Sequence, residues 1–202
     1  RLRFLEYLIL NNNQLRGPLP EGVGYLSQVR ELRLNNNRID GTLPDTIGDA
    51  VTLESVRLDQ NSLSGTLPST IGLLRNVLRL DMSQNSLTGA IPAEISGLQS
   101  ALSIYLNQNQ LTGQVPYTIG NLSSLQQVRV SQNSLTGEIP ASMGKLLALV
   151  ELSFDQNQIS GSIPPQLGKL SGNLASLQLQ NNKLGGLVPT FFREQAFRAI
   201  SQ

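Results

Sequence analysis

The sequence predicts an α/β solenoid, that is, a stack of similar strand–turn units. Three observations support this prediction: a fixed period of 24 residues, an asparagine at the same place in every period, and a glycine and a proline at constant distances after that asparagine. Units this short cannot fold alone, so each buries its apolar face against its neighbours. The pattern recurs eight times, which predicts eight 24-residue repeats.

Each repeat begins with a short predicted strand. Apolar residues lie eight, five and three positions before the repeated asparagine, as Leu53, Val56 and Leu58 do before Asn61. The last two alternate with polar residues, which is the period of a strand with one buried face. Because this strand returns once per repeat, we expect its copies to lie side by side as a parallel sheet.

The repeated asparagine directly follows the predicted strand, where the chain must turn inward. Its carboxamide carries two N–H donors and an acceptor, which can satisfy backbone groups that lose their partners at a turn. We therefore expect a structural asparagine ladder that binds no ligand. Its members are Asn13, Asn37, Asn61, Asn85, Asn109, Asn133, Asn157 and Asn182.

The second half of each repeat is predicted to turn along the outer side of the stack. A glycine four residues after the asparagine permits a tight or left-handed bend, as at Gly65. The proline three residues later, here Pro68, has no N–H and ends local pairing. The following Thr70-Ile71-Gly72 predicts a short helical turn with one buried aliphatic side chain and a glycine stop.

These residues resemble the leucine-rich repeat, and more narrowly its plant-type subclass. The family pattern LxxLxLxxNxLxGxIPxxLGxL is matched by LQQVRVSQNSLTGEIPASMGKL from Leu125 to Leu146 and by most of the chain. The resemblance implies a right-handed superhelix with a concave parallel sheet, and a second, shorter strand at the xGxIP segment. Similar repeats form the ectodomains of receptor-like kinases and receptor-like proteins, and polygalacturonase-inhibiting proteins.

The repeat pattern predicts one solenoid over residues 1–190 and a C-terminal capping helix over residues 191–202. The array starts inside a repeat, so we expect the chain to be a fragment of a longer protein. One residue is inserted near Gly172-Asn173, which predicts a loop on the outer side. After the last repeat, Phe192, Ala196 and Ile200 recur at helical spacing, as in a helix that covers the stack. The alternative is the start of a further domain.

The variable positions of the strands form the candidate binding surface. The residue between the two strand leucines is expected to face solvent on the concave side. This column and the position two residues earlier contain residue types common at binding hot spots. The candidate ligand-binding residues are Arg33, Arg57, Arg79, Asp81, Tyr105 and Arg129.

Planar guanidinium groups on a rigid sheet suit carboxylate or amide partners. The alternative is that the arginines only balance charge, through cross-strand pairs of Arg57 with Asp81 and of Arg79 with Asp59 or Asp81.

A second surface feature is the position before each ladder asparagine, which is an amide residue in all eight repeats. This amide lane consists of Asn12, Asn36, Gln60, Gln84, Gln108, Gln132, Gln156 and Asn181. A stacked lane of carboxamides is suited to glycan hydroxyls or ordered water. The alternative is a stabilising side-chain ladder at the sheet edge.

Asn121-Leu122-Ser123 is a sequon and predicts an N-glycosylation site at Asn121 on the outer side. It favours an extracellular or membrane-anchored ectodomain, and nothing else in the sequence assigns a compartment.

Composition excludes several classes of function. The net charge of +1 gives no electrostatic footprint for nucleic acid. The chain has no His and no Cys, so the usual general bases, nucleophiles and soft metal ligands are missing, and we expect no enzyme, metal or cofactor. No run of 18 apolar residues occurs, so we expect no membrane insertion by this segment.

The leading hypothesis is a receptor-like recognition module that binds a protein or peptide partner through its concave face. One alternative is a non-catalytic structural or scaffold subunit of a larger assembly. A weaker alternative is an ice-binding protein that uses the amide lane.

Overall fold

The computed structural model describes residues 4–191, which form one continuous stack of strand–turn units. The strands are β1 (Tyr7–Ile9), β2 (Arg16–Pro18), β3 (Glu31–Arg33), β4 (Arg38–Asp40), β5 (Ser55–Arg57), β6 (Ser64–Thr66), β7 (Arg79–Asp81), β8 (Ser86–Ala90), β9 (Ser103–Tyr105), β10 (Gln110–Thr112), β11 (Gln127–Arg129), β12 (Glu151–Ser153), β13 (Ser160–Gly161), β14 (Ser176–Gln178) and β15 (Lys183–Leu184). The 3₁₀ helices are η1 (Glu21–Tyr25), η2 (Asp45–Asp49), η3 (Ser69–Leu73), η4 (Ala93–Gly97), η5 (Tyr117–Asn121), η6 (Ala141–Lys145) and η7 (Pro165–Leu170).

The strand that opens each repeat belongs to one eight-stranded parallel sheet, in the order β1-β3-β5-β7-β9-β11-β12-β14. Equivalent residues pair in register, so Leu32 lies beside Val56 and Val56 beside Leu80. All three are fully buried. The predicted α/β solenoid with its parallel sheet is therefore confirmed.

A second row of short strands follows the asparagine turn, as the resemblance implied. These strands form the parallel groups β2-β4, β6-β8-β10 and β13-β15. Their register is offset by two residues per repeat, since Gly65 pairs with Leu87 rather than with the equivalent Gly89. The glycines at this position have positive φ, for example +72° at Gly65, which is the bend that the sequence predicted.

The predicted helical turns are 3₁₀ helices, each with a buried apolar residue, which is aliphatic as at Ile71 except for Met143 in η6. The role predicted for the glycine in this segment is wrong, because η3 continues past Gly72 to Leu73. A Cβ on Gly72 would lie 2.1 Å from the carbonyl oxygen of Glu94 in the next repeat. This glycine therefore allows adjacent repeats to approach closely on the outer side.

The repeated asparagines connect consecutive repeats by hydrogen bonds. Asn61 donates from Nδ2 to the carbonyl oxygens of Leu58 in its own repeat (3.1 Å) and Leu34 in the preceding one (3.0 Å). Its Oδ1 accepts from the N–H of Ile39, at 2.9 Å. The same three contacts recur at Asn37, Asn85, Asn109, Asn133, Asn157 and Asn182. The side chain of Asn13, in the first repeat, donates to the carbonyl oxygens of Leu10 and Asn11 in its own turn.

The inserted residue near Gly172 lengthens the outer segment, where η7 has six residues and a turn follows it. The long sheet is undisturbed, because Leu152 still pairs with Leu177. The predicted helix over residues 191–202 lies outside the described residues except for Phe191, which is half-buried against Gly168. Within residues 4–191, no helix is both long and apolar enough to cross a bilayer.

Candidate binding site on the concave face

The register of the long sheet brings the six predicted ligand-binding residues onto one face. Arg33, Arg57, Asp81, Tyr105 and Arg129 are paired residues on five consecutive strands, β3 to β11. Arg79 lies on the same face, because it precedes Asp81 by two residues in β7. Neighbouring strands are about 4.8 Å apart, so side chains of adjacent repeats reach one another.

Tyr105 lies between two arginines at the centre of this face. The guanidinium carbons of Arg79 and Arg129 are 4.9 and 5.0 Å from the centroid of its ring, a geometry that allows cation–π attraction. The Tyr105 hydroxyl donates to Oε1 of Gln127. The residue is only 7% exposed. Tyr105 therefore organises the two arginines, and the expectation that it faces solvent is wrong; Asp81 and Ser153 in the same column are buried as well.

Every concave arginine has a carboxylate partner within 4 Å. Arg33 bonds Glu31 at 2.5 Å, and Arg79 Nη2 bonds Asp81 Oδ2 at 2.8 Å. Arg129 makes a bidentate pair with Glu151, from Nε (2.7 Å) and Nη2 (2.8 Å). This hydrogen bonding raises the pKa of Arg129. Arg57 Nε lies 3.6 Å from Asp59 Oδ1.

The predicted pair of Arg79 with Asp81 occurs, but within β7 rather than across strands, whereas Arg57 lies beside Asp59 and not beside the predicted Asp81. Both arginines lie nearest the carboxylate two residues later in their own repeat, Asp59 and Asp81 respectively. The reason is the strand period, which places residues i and i+2 on the same face. The concave arginines are therefore neutralised in place, and this surface is not a basic patch.

Asp59, just after β5, is the most perturbed carboxylate of the face. It is 7% exposed. Burial, and then the nearby charge of Asp81, raise the pKa of Asp59 above its ordinary value, against a smaller opposing effect of Arg57. The sequence placed Asp59 only as a pairing candidate; its position beside Asp81 was the signal that could have marked it as part of the site.

Polar atoms without partners concentrate on one half of this face. Within residues 4–191, the buried side-chain atoms that lack a hydrogen-bond partner are Asn35 Oδ1, Arg57 Nε, Asp59 Oδ1 and Arg79 Nε. They belong to three consecutive repeats, in or just after β3, β5 and β7. On the other side of Tyr105, the side chains of Gln127, Arg129 and Glu151 form a hydrogen-bonded network with one another and with the Tyr105 hydroxyl. Nothing in the sequence distinguishes Asn35 from the polar residues at equivalent positions, so sequence reasoning missed it.

The amide lane is first of all a turn position. All eight of its residues have left-handed backbone conformations, with φ between 54° and 58°. Among residues 4–191, one amide–amide hydrogen bond joins lane neighbours, from Asn36 to Asn12 at 2.8 Å. The interpretation as a continuous stabilising ladder is therefore wrong beyond the first pair, and the lane's other side chains are exposed.

Asn121 is the last residue of η5 and is exposed on the outer side, away from the concave face. Ser123 of the sequon is exposed as well, while Leu122 between them is buried.

The family models that match the chain cover most of it. The model described as "Leucine rich repeat" matches residues 51–111, and that described as "Leucine Rich Repeat" matches residues 4–26, 28–50, 124–146, 148–170 and 173–194. The chain belongs to the leucine-rich repeat family. Its repeats are of the plant-type subclass, as the solved structures below indicate. No curated protein matches this leucine-rich repeat chain at a significant level.

Two similar solved structures are receptor ectodomains from Arabidopsis. The leucine-rich repeat ectodomain of the membrane receptor kinase GASSHO1/SCHENGEN3 from Arabidopsis thaliana, in complex with CASPARIAN STRIP INTEGRITY FACTOR 2, is 37% identical with a TM-score of 0.89. The receptor kinase HAESA, in complex with the peptide hormone IDA and the co-receptor SERK1, is 32% identical with a TM-score of 0.90. Each similarity covers 93% of this chain, which spans 22% and 31% of the two receptor chains.

A third similar structure is not a receptor but an ice-binding protein. A plant ice-binding protein is 28% identical with a TM-score of 0.67, and the similarity covers 92% of this leucine-rich repeat chain and 76% of that protein.

Proposed function

We propose that this chain is the recognition segment of a receptor-like protein and binds an extended peptide along its concave face. The observation that supports this most directly is the continuous row of preorganised polar side chains from Arg33 to Arg129 on consecutive strands. Eight strands about 4.8 Å apart span about 34 Å, the length of about ten extended residues. A linear peptide therefore matches the surface better than a small molecule, for which the open sheet offers no enclosure.

The two Arabidopsis receptors support the same proposal, because both are described in complex with a signalling factor or peptide hormone. The charges of the face set the kind of peptide. Because the four concave arginines already pair with Glu31, Asp59, Asp81 and Glu151, the face as a whole favours a polar peptide without a large net charge.

The test is a selection of random linear dodecamers displayed on phage against the protein, followed by calorimetry with synthetic peptides. We expect Arg129→Ala to weaken the selected peptides at least tenfold, because it removes the Glu151 pair and uncovers one face of Tyr105. Thr112→Ala, an exposed change on β10 of the second strand row, is the matched control and should leave affinity unchanged. If no peptide is enriched, or if both variants bind alike, concave-face recognition is wrong.

The receptor-like part of the proposal includes an extracellular location with a glycan on Asn121. The exposed position of Asn121 and Ser123, away from the concave face, gives a glycan room without blocking the peptide. Expression in a secreting eukaryotic cell line should yield a protein with a glycan mass that peptide-N-glycosidase removes and that Asn121→Gln abolishes. An unmodified wild-type protein would contradict this part.

The similarity to a plant ice-binding protein supports a second candidate function, adsorption to ice. Besides the amide lane, the strands β6, β8 and β10 of the second row contain no charged residue, and Thr66 pairs with Thr88 there. Thermal hysteresis of the purified protein distinguishes this candidate: a freezing-point gap that Thr88→Lys reduces would support ice binding, and its absence would exclude it.

A further inference from the structure

The concave face between β3 and β7 contains buried polar atoms without hydrogen-bond partners, and these atoms select a particular kind of ligand group. We infer that Asn35, Arg57, Asp59 and Arg79 form a subsite for a primary carboxamide, the side chain of an Asn or Gln in the bound peptide. This inference rests on the proposed function, and it goes further by naming the chemical group that the site recognises. The observation behind it is the concentration here of buried polar atoms without a hydrogen-bond partner, of which Arg57 Nε and Asp59 Oδ1 meet only as an ion pair at 3.6 Å. Such atoms are costly unless something completes their hydrogen bonds.

The hydrogen-bonding capacity of the site matches that group. Two of the unpartnered atoms are donors, Arg57 Nε and Arg79 Nε, and two are acceptors, Asn35 Oδ1 and Asp59 Oδ1. A primary carboxamide carries an oxygen with two lone pairs and an NH₂ group with two N–H donors. A carboxylate offers acceptors alone and an ammonium group donors alone, so each would leave half of the site unsatisfied.

The charges of the site point the same way. Arg57 and Arg79 carry two positive charges, and Asp59 and Asp81 carry two negative charges within the same cluster. With two charges of each sign, the cluster offers a ligand ion no net attraction that would offset the cost of removing the ion from water. A neutral group that both donates and accepts meets a smaller penalty.

Arg57 provides the access to this subsite. It is the concave arginine for which no hydrogen bond occurs among residues 4–191, and its side chain is 30% exposed. Arg79 and Arg129 are held by hydrogen bonds to Asp81 and Glu151 and by the ring of Tyr105. A shift of the Arg57 side chain therefore breaks no hydrogen bond and lengthens only its 3.6 Å ion pair with Asp59, so that an inserted carboxamide can bond both Arg57 Nε and Asp59 Oδ1.

The experiment is a double-mutant cycle on peptides selected from the random dodecamer library. In each selected peptide, every Asn or Gln is replaced in turn by Asp or Glu and by Leu, and affinities for wild type and Asn35→Ala are measured by calorimetry. We expect one amide whose replacement weakens binding to wild type about tenfold or more but changes binding to Asn35→Ala less than about threefold. In Asp59→Asn, replacement of the same peptide amide should weaken binding less than it does in wild type, because this variant alters the second acceptor of the subsite.

Asn107→Ala is the matched control, since Asn107 holds the position of Asn35 three repeats later, and its variant should behave as wild type. Thermal melts establish that both alanine variants are folded. Peptides that depend on Arg129 but show no amide coupled to Asn35 overturn the carboxamide subsite and leave peptide recognition standing. A library without any binder overturns peptide recognition, and the subsite with it.

Discussion

Asn109 donates from Nδ2 to the carbonyl oxygen of Met82, 27 residues earlier in the chain, at 3.0 Å. The same amide donates to Leu106 of its own repeat, and its Oδ1 accepts from the N–H of Leu87. It also donates to the carbonyl oxygen of Asn107 at 3.5 Å, so that one side chain bonds four backbone groups in two repeats. Because Asn109 is 9% exposed, water has little access to these groups if the amide is removed.

Replacing Asn109 with Ala should lower the free energy of unfolding by about 2–4 kcal/mol, because buried backbone groups lose their partners. Urea titration followed by circular dichroism measures this. Asn107→Ala, two residues earlier, is the control and should change stability by less than about 0.5 kcal/mol. Equal effects of the two substitutions would show that the ladder contributes no stability.

The elements that follow from the period could be predicted from the sequence. The parallel sheet and the buried positions of Leu32, Val56 and Leu80 follow because equivalent residues of every repeat pack against the neighbouring repeat in the same way. The partners of individual side chains could not be predicted in this way. Whether Arg57 meets Asp59 or Asp81 depends on side-chain rotamers, since both carboxylates lie within reach on the same face. The burial of Tyr105 likewise depends on two arginines contributed by different repeats.

The role of Gly72, on the outer side, could not be predicted from the repeat pattern either. Gly72 was predicted to end a helical turn, whereas its role is set by the carbonyl of Glu94 in the next repeat, a contact that no local pattern reveals.

Gly72→Ala should destabilise the protein by about 2–3 kcal/mol, because backbone atoms of Glu94 cannot yield as a side chain can. The matched control is Gly22→Ala in η1, where an added Cβ would meet nothing within 4 Å. That change should be neutral or slightly stabilising, by up to about 0.5 kcal/mol. Thermal and urea unfolding of both variants provide the comparison. A stable Gly72→Ala would mean that the repeats can separate on the outer side without cost.

The Tyr105 side chain donates a hydrogen bond from its hydroxyl and packs its ring between two arginines, and two substitutions separate these contributions. Tyr105→Phe keeps the ring between Arg79 and Arg129 and loses the hydrogen bond to Gln127, so stability should fall by about 1 kcal/mol. Tyr105→Ala also removes the buried ring and should cost about 3 kcal/mol. Urea titration measures both, and equal losses would show that the ring between the arginines contributes nothing.

The stability of the protein should depend on pH through the carboxyl group of Asp59. Burial, and then the charge of Asp81, raise the pKa of Asp59 above its ordinary value of 3.8. The folded protein therefore binds this proton more tightly than the unfolded chain does. The stabilising contribution of the proton is complete below about pH 3.8 and is lost as the pH rises through the raised pKa.

Asp59→Asn removes this titration. The free energy of unfolding of the variant minus that of wild type should therefore become more positive from pH 3.5 to pH 6.5, which means that the variant gains stability relative to wild type. Urea titrations at several pH values within this range measure the difference. Asp49→Asn, which removes an exposed carboxylate on η2, corrects for the general loss of one negative charge. A constant difference between Asp59→Asn and wild type across this range would mean that folding leaves the pKa of Asp59 unchanged, and a difference that declines with pH would mean that Arg57 outweighs burial.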